Sequence, residues 1–543
     1  MSPTNGGDLL VALLRQAEVD VVFGIVSVHN LPLVEAVARD LRFVPVRHEA
    51  AAVNAADGYA RVSGRLGVAL TSTGTGAGNA AGSLVEAHTA SSRVLHVTGQ
   101  IESCYLGLGR GVIHETADQL GMLRSVSRFA ATIGSTGESA STLVRAIAAA
   151  RTAPYGPASV EWPIDLQFAE HDVDVVLESS GVAAPAPTTA ELAQAAALVS
   201  QSSRPVIWAG GGAREAREPL RLLAERLAAP VLTSNSGRGS IAEDHPLVVG
   251  NFAATPAGAD LLSAADLLIS VGTHFRSNET RDYALRMPTN HLQIDADSAA
   301  IGRVYPAAVG IVADAAQTLA GLLTALPATA GAEPSWTARG GQVRHSVRAT
   351  LTEDIAGYAG ICQTLRAQLP LSTPIARDVT IPSSQWGNRL LDIHHPSTNV
   401  FPVGGGIGQG LAMGIGAALG RPEVPTVVMV GDGGLAVHLG ELATLAQEQP
   451  RLIVLLFNDR GYGVLRNMQD KYRPRRAGVD LTTPDFALLC AAFALPYAHV
   501  DNPEHFDTAL REAIGRSGPS VIELDADKLS AGAPMFVPPV SVH

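Results

Sequence analysis

Apolar residues in this chain fall into two periods. Short continuous runs of four to six residues, rich in β-branched side chains, are too short for helices and predict buried parallel strands. They cover 19–24, 68–71, 94–98 and 159–163, then 205–210, 230–233, 267–271 and 291–294, and finally 426–430 and 452–457. Between them the spacing predicts helices over 8–16, 31–38 and 435–449, the last with Leu439, Leu442, Ala443 and Ala446 on one face. Alternating strands and helices mean an α/β fold with parallel sheets. A Pro/Ala-rich joint at 181–187 and a polar, Gly/Ala-rich connector at 327–358 divide it. The expectation is three doubly wound parallel-sheet domains: 1–172, 188–326 and, after the linker 327–358, 359–530.

Composition changes this picture only modestly. The 543 residues suit about three domains by the size prior. Charged residues make up 17% against an average of about 25%, leaving apolar surface for cores and subunit contacts. A net charge of −12 argues against nucleic acid or an anionic membrane as partner. Cys104, Cys362 and Cys490 form no metal or redox motif. The first residues lack a basic region ahead of an apolar core, and no apolar run approaches a membrane span, so the expected setting is reducing and cytoplasmic.

The chemistry is concentrated where two of the strands end. Gly431-Asp432-Gly433-Gly434 follows the run 426–430, and Asn458-Asp459-Arg460-Gly461-Tyr462-Gly463 follows 452–457. Open α/β sheets bind ligands at those ends. Mg²⁺ takes hard oxygen ligands, shared between one or two carboxylates and ligand phosphates. Asp432, Asp459 and the Gly461 carbonyl could supply three. Gly433 and Gly434 would let phosphate oxygens approach the N–H groups of the following helix. Two other glycine-rich stretches, 74–79 and 404–410, match neither the dinucleotide nor the P-loop pattern.

The pair of segments resembles the signature of thiamine diphosphate enzymes, a GDG followed some 25–30 residues later by two asparagines. Asp459 stands where the family's second asparagine binds metal, an exchange that should attract Mg²⁺ and repel the diphosphate. The resemblance covers nearly the whole chain and is to the group containing acetolactate synthase, benzoylformate decarboxylase and pyruvate decarboxylase. It implies pyrimidine-binding, central and diphosphate-binding domains in that order, with thiamine diphosphate and Mg²⁺ as cofactors. Asp432, Gly433, Gly434, Asp459, Gly461 and Tyr462 would then hold the diphosphate and metal. The Gly405 carbonyl would accept from the 4′-amino group, and Ile407 would wedge between the cofactor rings. Glu49, in Val46-Arg47-His48-Glu49, matches the glutamate that activates the cofactor through the aminopyrimidine. On composition alone it is a first-turn glutamate favoured by the helix dipole.

For the substrate, the resemblance turns the loops bearing His29 and His114 toward the reacting carbon, as candidate proton-transfer groups. Val28, Ser72 and Gln100 are further pocket candidates, and Val464 and Met468 would line an apolar acceptor pocket. Val28, Ser72 and Asn278 stand where benzoylformate decarboxylases carry a catalytic serine and two histidines. The implied activity is decarboxylation of a 2-oxo acid, followed by protonation or by carboligation to an aldehyde or second oxo acid, in a homodimer or dimer of dimers. The alternative is an FAD-containing thiamine diphosphate-dependent oxidase, for which Thr273-His274-Phe275-Arg276 is only faintly like flavin-binding relatives.

Overall fold

The computed structural model describes residues 4–177, 185–327, 331–472 and 475–529. Most of the joint 181–187 lies outside them. The described chain forms three six-stranded sheets, all parallel, as expected from the continuous apolar runs. The first contains β1 (Val21–Gly24), β2 (Arg42–Pro45), β3 (Gly67–Thr71), β4 (Val94–Gln100), β5 (Phe129–Thr132) and β6 (Ala158–Pro163), in the order 2-1-3-4-6-5. The second contains β7 (Pro205–Ala209), β8 (Val231–Thr233), β9 (Val248–Gly250), β10 (Leu267–Val271), β11 (His291–Asp295) and β12 (Val309–Val312), ordered 12-11-10-7-8-9. The third contains β13 (Ile375–Arg377), β14 (Asn399–Val400), β15 (Thr426–Gly431), β16 (Leu452–Asn458), β17 (Tyr497–Val500) and β18 (Ser520–Asp525), ordered 14-13-15-16-18-17. Counted within each sheet, the first and third share one strand order. That likeness of the two outer units leaves no clear repeat in the residues.

Of the strands in the first two sheets, four fall outside the apolar runs: β2, β5, β9 and β12. All four are sheet edges. An edge strand meets a neighbour on one side only, and β12 alternates buried and exposed residues, so a continuous apolar run is not required there. One helical expectation is corrected. The helix expected over 435–449 is broken: one helix spans Asp432–Val437, and a second spans Glu441–Glu448. The break carries His438, whose Nδ1 pairs with the Gly408 carbonyl at 2.8 Å. The connector 327–358 contains a 21-residue helix, Pro334–Asp354, that buries Trp336, Val343 and Val347 against the central sheet. Its indole N–H donates to Pro205 O at 2.8 Å.

Two helices position the site. Glu49–Ser63 follows β2, and Gly410–Gly420 follows the glycine run; they cross at backbone contact distance. A Cβ on Gly416 would overlap the Ala55 carbonyl, and one on Gly58 would overlap the Met413 carbonyl. The crossing thereby locks the N-terminus that bears Glu49 to the helix that follows residues 404–409. No rotamer change relieves a clash with backbone, so Gly416→Val should cost at least the roughly 1–3 kcal/mol of ordinary overpacking. Gly341→Ala is the control, because its Cβ would meet nothing within 4 Å and alanine favours the helix. Thermal unfolding should separate the two, with only the first lowering the transition.

Candidate active site

The carboxyl ends of β15 and β16 bring Asp432 and Asp459 together. The Asp459 N–H donates to Asp432 Oδ1 at 3.2 Å, while Asp432 Oδ2 is buried with no partner. Asp432 is fully buried, and desolvation raises its pKa. Burial, followed by the charge of Asp432, pushes the Asp459 carboxyl up to about 7. Two carboxyls so placed are held at an energetic cost. The Gly461 carbonyl completes the group: a Cβ on Gly433 would stand 2.9 Å from it and 2.8 Å from the Tyr462 ring. Tyr462 N–H donates to Val479 O at 2.8 Å, and Arg466 donates to Asp459 O at 2.9 Å, so the loop is tied down on its outer side. Asn458 points away, donating to Glu523 at 2.7 Å. The helix opened by Asp432 is six residues long, so its dipole is weaker than the longer helix expected from the sequence would provide. Among the described residues no three His, Cys, Asp or Glu side chains cluster to hold a metal; here the oxygens are two carboxyls and a backbone carbonyl.

The glycine run forms a loop fixed on both flanks, before Gly405 by Glu86, which accepts from Gly404 N–H at 2.7 Å, and after it by Asp378. Asp378, at the end of β13, accepts from Gly408 N–H at 3.1 Å and Gly410 N–H at 2.8 Å. Between the flanks, Gly405 has φ +82° and nothing within 4 Å of a Cβ position. Ile407 is 39% exposed, which excludes the plain core role that an isoleucine usually has. Asp378 was not singled out by sequence; its only signal is an acid directly after a very short apolar strand. Thr380 was missed too, and its Oγ1 would lie 3.2 Å from a Cβ on Gly431.

Glu49 is the first residue of its helix and is half-buried. Asn79 Nδ2 donates to its Oε2 at 3.0 Å. A Cβ on Gly76 would sit 2.9 Å from Glu49 Oε1 and 2.7 Å from the Ser72 side chain, so Gly76 leaves room for both. His29 is buried, its Nε2 lies 3.2 Å from Ile113 O, and desolvation lowers its pKa. His114 stands edge-on to it, ring centroids 5.3 Å apart, with a strained φ of +67°. The Nδ1 atoms of both rings are buried and unpartnered. Val28 is exposed beside them. Gln100 is instead engaged inward, donating to Glu161 at 3.0 Å and accepting from Ile101 N–H at 2.8 Å. Val464 and Met468 are half-buried on the helix Gly463–Tyr472. Asn278 lies in a short turn of the central domain. Among the described residues no hydrogen bond, ion pair or ring contact joins Glu49 to Asp432.

At the junction of the three sheets lies a cavity of about 700 Å³, lined by Arg61, Gly211, Arg214, Gly272, Arg276 and Asp295 among others. It opens at the ends of β7 and β10, where the central strand order reverses.

Three family models match the chain: the N-terminal TPP binding domain of thiamine pyrophosphate enzymes over 4–122, their central domain over 192–322, and their C-terminal TPP binding domain over 382–524. A probable 2-ketoarginine decarboxylase of Pseudomonas aeruginosa is 34% identical, with 96% of this chain and 94% of that protein aligned. A probable acetolactate synthase large subunit of Methanocaldococcus jannaschii is 29% identical over 98% and 94%. The large subunit of acetolactate synthase isozyme 2 of Escherichia coli is 27% identical over 99% and 98%.

Proposed function

We propose that this chain, which belongs to the thiamine pyrophosphate enzyme family, is a Mg²⁺-dependent 2-oxo acid decarboxylase that holds its cofactor between Asp432 and Glu49. Membership gives the class: a thiamine diphosphate-dependent decarboxylase or carboligase acting on 2-oxo acids. No helix of the described residues is long and apolar enough to cross a membrane.

The observation that carries the finer reading is the pairing of buried Asp432, with its orphaned oxygen, and half-buried Asp459. Such a pair suits a divalent cation, and the Gly461 carbonyl adds a third hard oxygen. Gly433 and Gly434 leave the diphosphate room, and Tyr462 packs beside it. At the other end Glu49 would hold a proton toward the aminopyrimidine, with Gly405 and Ile407 orienting the rings. When bound, the cofactor supplies the electron sink that loss of CO₂ requires. His29 and His114 would deliver or take the proton at the reacting carbon, with Val28 and Ser72 beside them. Gln100, bound to Glu161, would support that wall rather than touch substrate. Val464 and Met468 would bound the far side. We further propose at least a homodimer, because both exposed Ile407 and the apolar loop residues Val28 and Ile113 offer surface for a second copy.

Among substrates, the similarity to a protein named for 2-ketoarginine puts a 2-oxo acid with a cationic tail first. The test is CO₂ release from a panel containing that acid, pyruvate and benzoylformate, with and without aldehyde acceptors. Release from at least one, abolished by chelation and restored by Mg²⁺, is expected; no release from any would overturn the reading. The FAD oxidase alternative draws on the faint flavin likeness of 273–276, of which Thr273, His274 and Arg276 line the interdomain cavity, and none of the three relatives above is named an oxidase. A flavin spectrum in the purified protein would favour it.

A further inference from the structure

The stem of the glycine loop is gripped from two other domains. Arg61 Nη1 donates to Phe401 O at 2.6 Å. Glu86 accepts from the Val403 N–H at 2.5 Å and from the Gly404 N–H at 2.7 Å. From the central domain, Arg276 donates to Val403 O at 2.7 Å and to Thr89 O at 2.9 Å. Behind Glu86, Arg61 reaches it at 3.2 Å and binds Asp57 through two nitrogens, at 2.8 and 2.6 Å. The side chains of Asp57, Arg61 and Glu86 are 1–3% exposed.

Stability alone is a poor reason for this triad. Burying three ions costs more desolvation than an apolar trio of similar volume, which commonly folds as well or better. What the triad supplies, and an apolar trio cannot, is a carboxylate aimed at two successive backbone N–H groups. Those groups immediately precede Gly405, where an added Cβ would meet nothing within 4 Å. The geometry points to Glu86 as a positioning residue for the cofactor: it sets the stem 401–404 so that the Gly405 carbonyl and Ile407 are presented in one arrangement. Arg276 ties the same stem to the central domain, so the cofactor loop and the interdomain cavity share a wall.

This rests on the thiamine diphosphate reading above, and the experiment separates the two. Glu86→Gln sets an amide N–H against a backbone N–H and removes the charge facing Arg61. In the holoenzyme at saturating thiamine diphosphate and Mg²⁺, kcat should fall about 100-fold, the usual cost of a 1 Å misplacement, with substrate KM little changed. The near-UV circular dichroism of the bound cofactor should change in parallel. Gly404→Ala is the second variant, for the case where Glu86→Gln does not fold. Its Cβ would lie 2.8 Å from Glu86 Oε2, displacing the stem while all three charges remain. Arg348→Met, which breaks the 2.7 Å pair with Asp392 and touches none of the stem's hydrogen bonds, controls for general weakening. Wild-type kcat and dichroism in both loop variants, or equal losses in Arg348→Met, would overturn the role of Glu86. If the wild-type chain itself binds no thiamine diphosphate, the underlying functional reading falls with it.

Discussion

Glu49→Gln is expected to fold, to bind thiamine diphosphate and Mg²⁺ at close to wild-type affinity, and to lose about 10²- to 10⁴-fold in kcat. The substitution keeps the shape of the side chain at the head of its helix, and an amide oxygen can still accept from Asn79. It removes the one thing an amide cannot provide, a proton that can be given and retaken at the aminopyrimidine. The loss should therefore appear in the chemistry rather than in binding. Exchange of the cofactor C2 proton, followed by NMR after acid quench, should slow by a similar factor. Unchanged exchange with reduced activity would move Glu49 from activation to substrate handling. Loss of cofactor affinity instead would make it a structural cap.

The second large effect concerns the opposite end. Asp432→Ala should weaken Mg²⁺-dependent binding of thiamine diphosphate beyond the 10- to 100-fold that loss of an outer-shell partner typically costs a metal site. The same variant should be no less stable than wild type when cofactor-free. Its buried carboxyl has one oxygen without a partner and lies against a second carboxyl, so removing it relieves desolvation and repulsion. Thermal shift measurements read both halves: wild type gains stability on adding Mg²⁺ and cofactor by mass action, and the variant does not. A variant that is destabilised without cofactor yet still shifts fully with it would place the metal elsewhere.

Much of this was legible in the residues because the interior strands of the first two sheets, with β15 and β16 of the third, are buried on both faces and read as apolar runs. β13 and β18 are interior too but went unread, β13 being three residues long and β18 carrying Glu523 and Asp525. The loops proposed to hold metal were singled out for the same reason: Asp432 and Asp459 each follow such a run with one residue between, and strand ends are where parallel sheets present ligands. Edge strands such as β2 and β12 lack that demand and left no such run. Glu86 and Asp378 were invisible for a different reason. Their partners are backbone N–H groups 317 and 318 residues away for Glu86 and 30 and 32 residues away for Asp378, and nothing in the local pattern distinguishes such a carboxylate from a solvated one. The broken helix at His438 was missed because its apolar spacing continues across the break, while the tertiary contact to Gly408 decides it. Gln100 has an engagement that its sequence position did not announce. The family resemblance made it a pocket candidate, and at the end of β4 its amide donates to the buried carboxyl of Glu161.

The central proposal is that one cofactor is worked on from both ends by two copies of the chain, Glu49 from one and Asp432 from the other. Among the described residues no hydrogen bond, ion pair or ring contact joins the two within one chain. Mixing inactive Glu49→Gln with inactive Asp432→Ala after verified subunit exchange tests it directly. If the ends come from two chains, mixed dimers contain one intact site, and activity should return to about a quarter of wild type under random reassortment. If each chain builds its own complete site, every site in the mixture carries one lesion, and activity stays at the level of the separate variants.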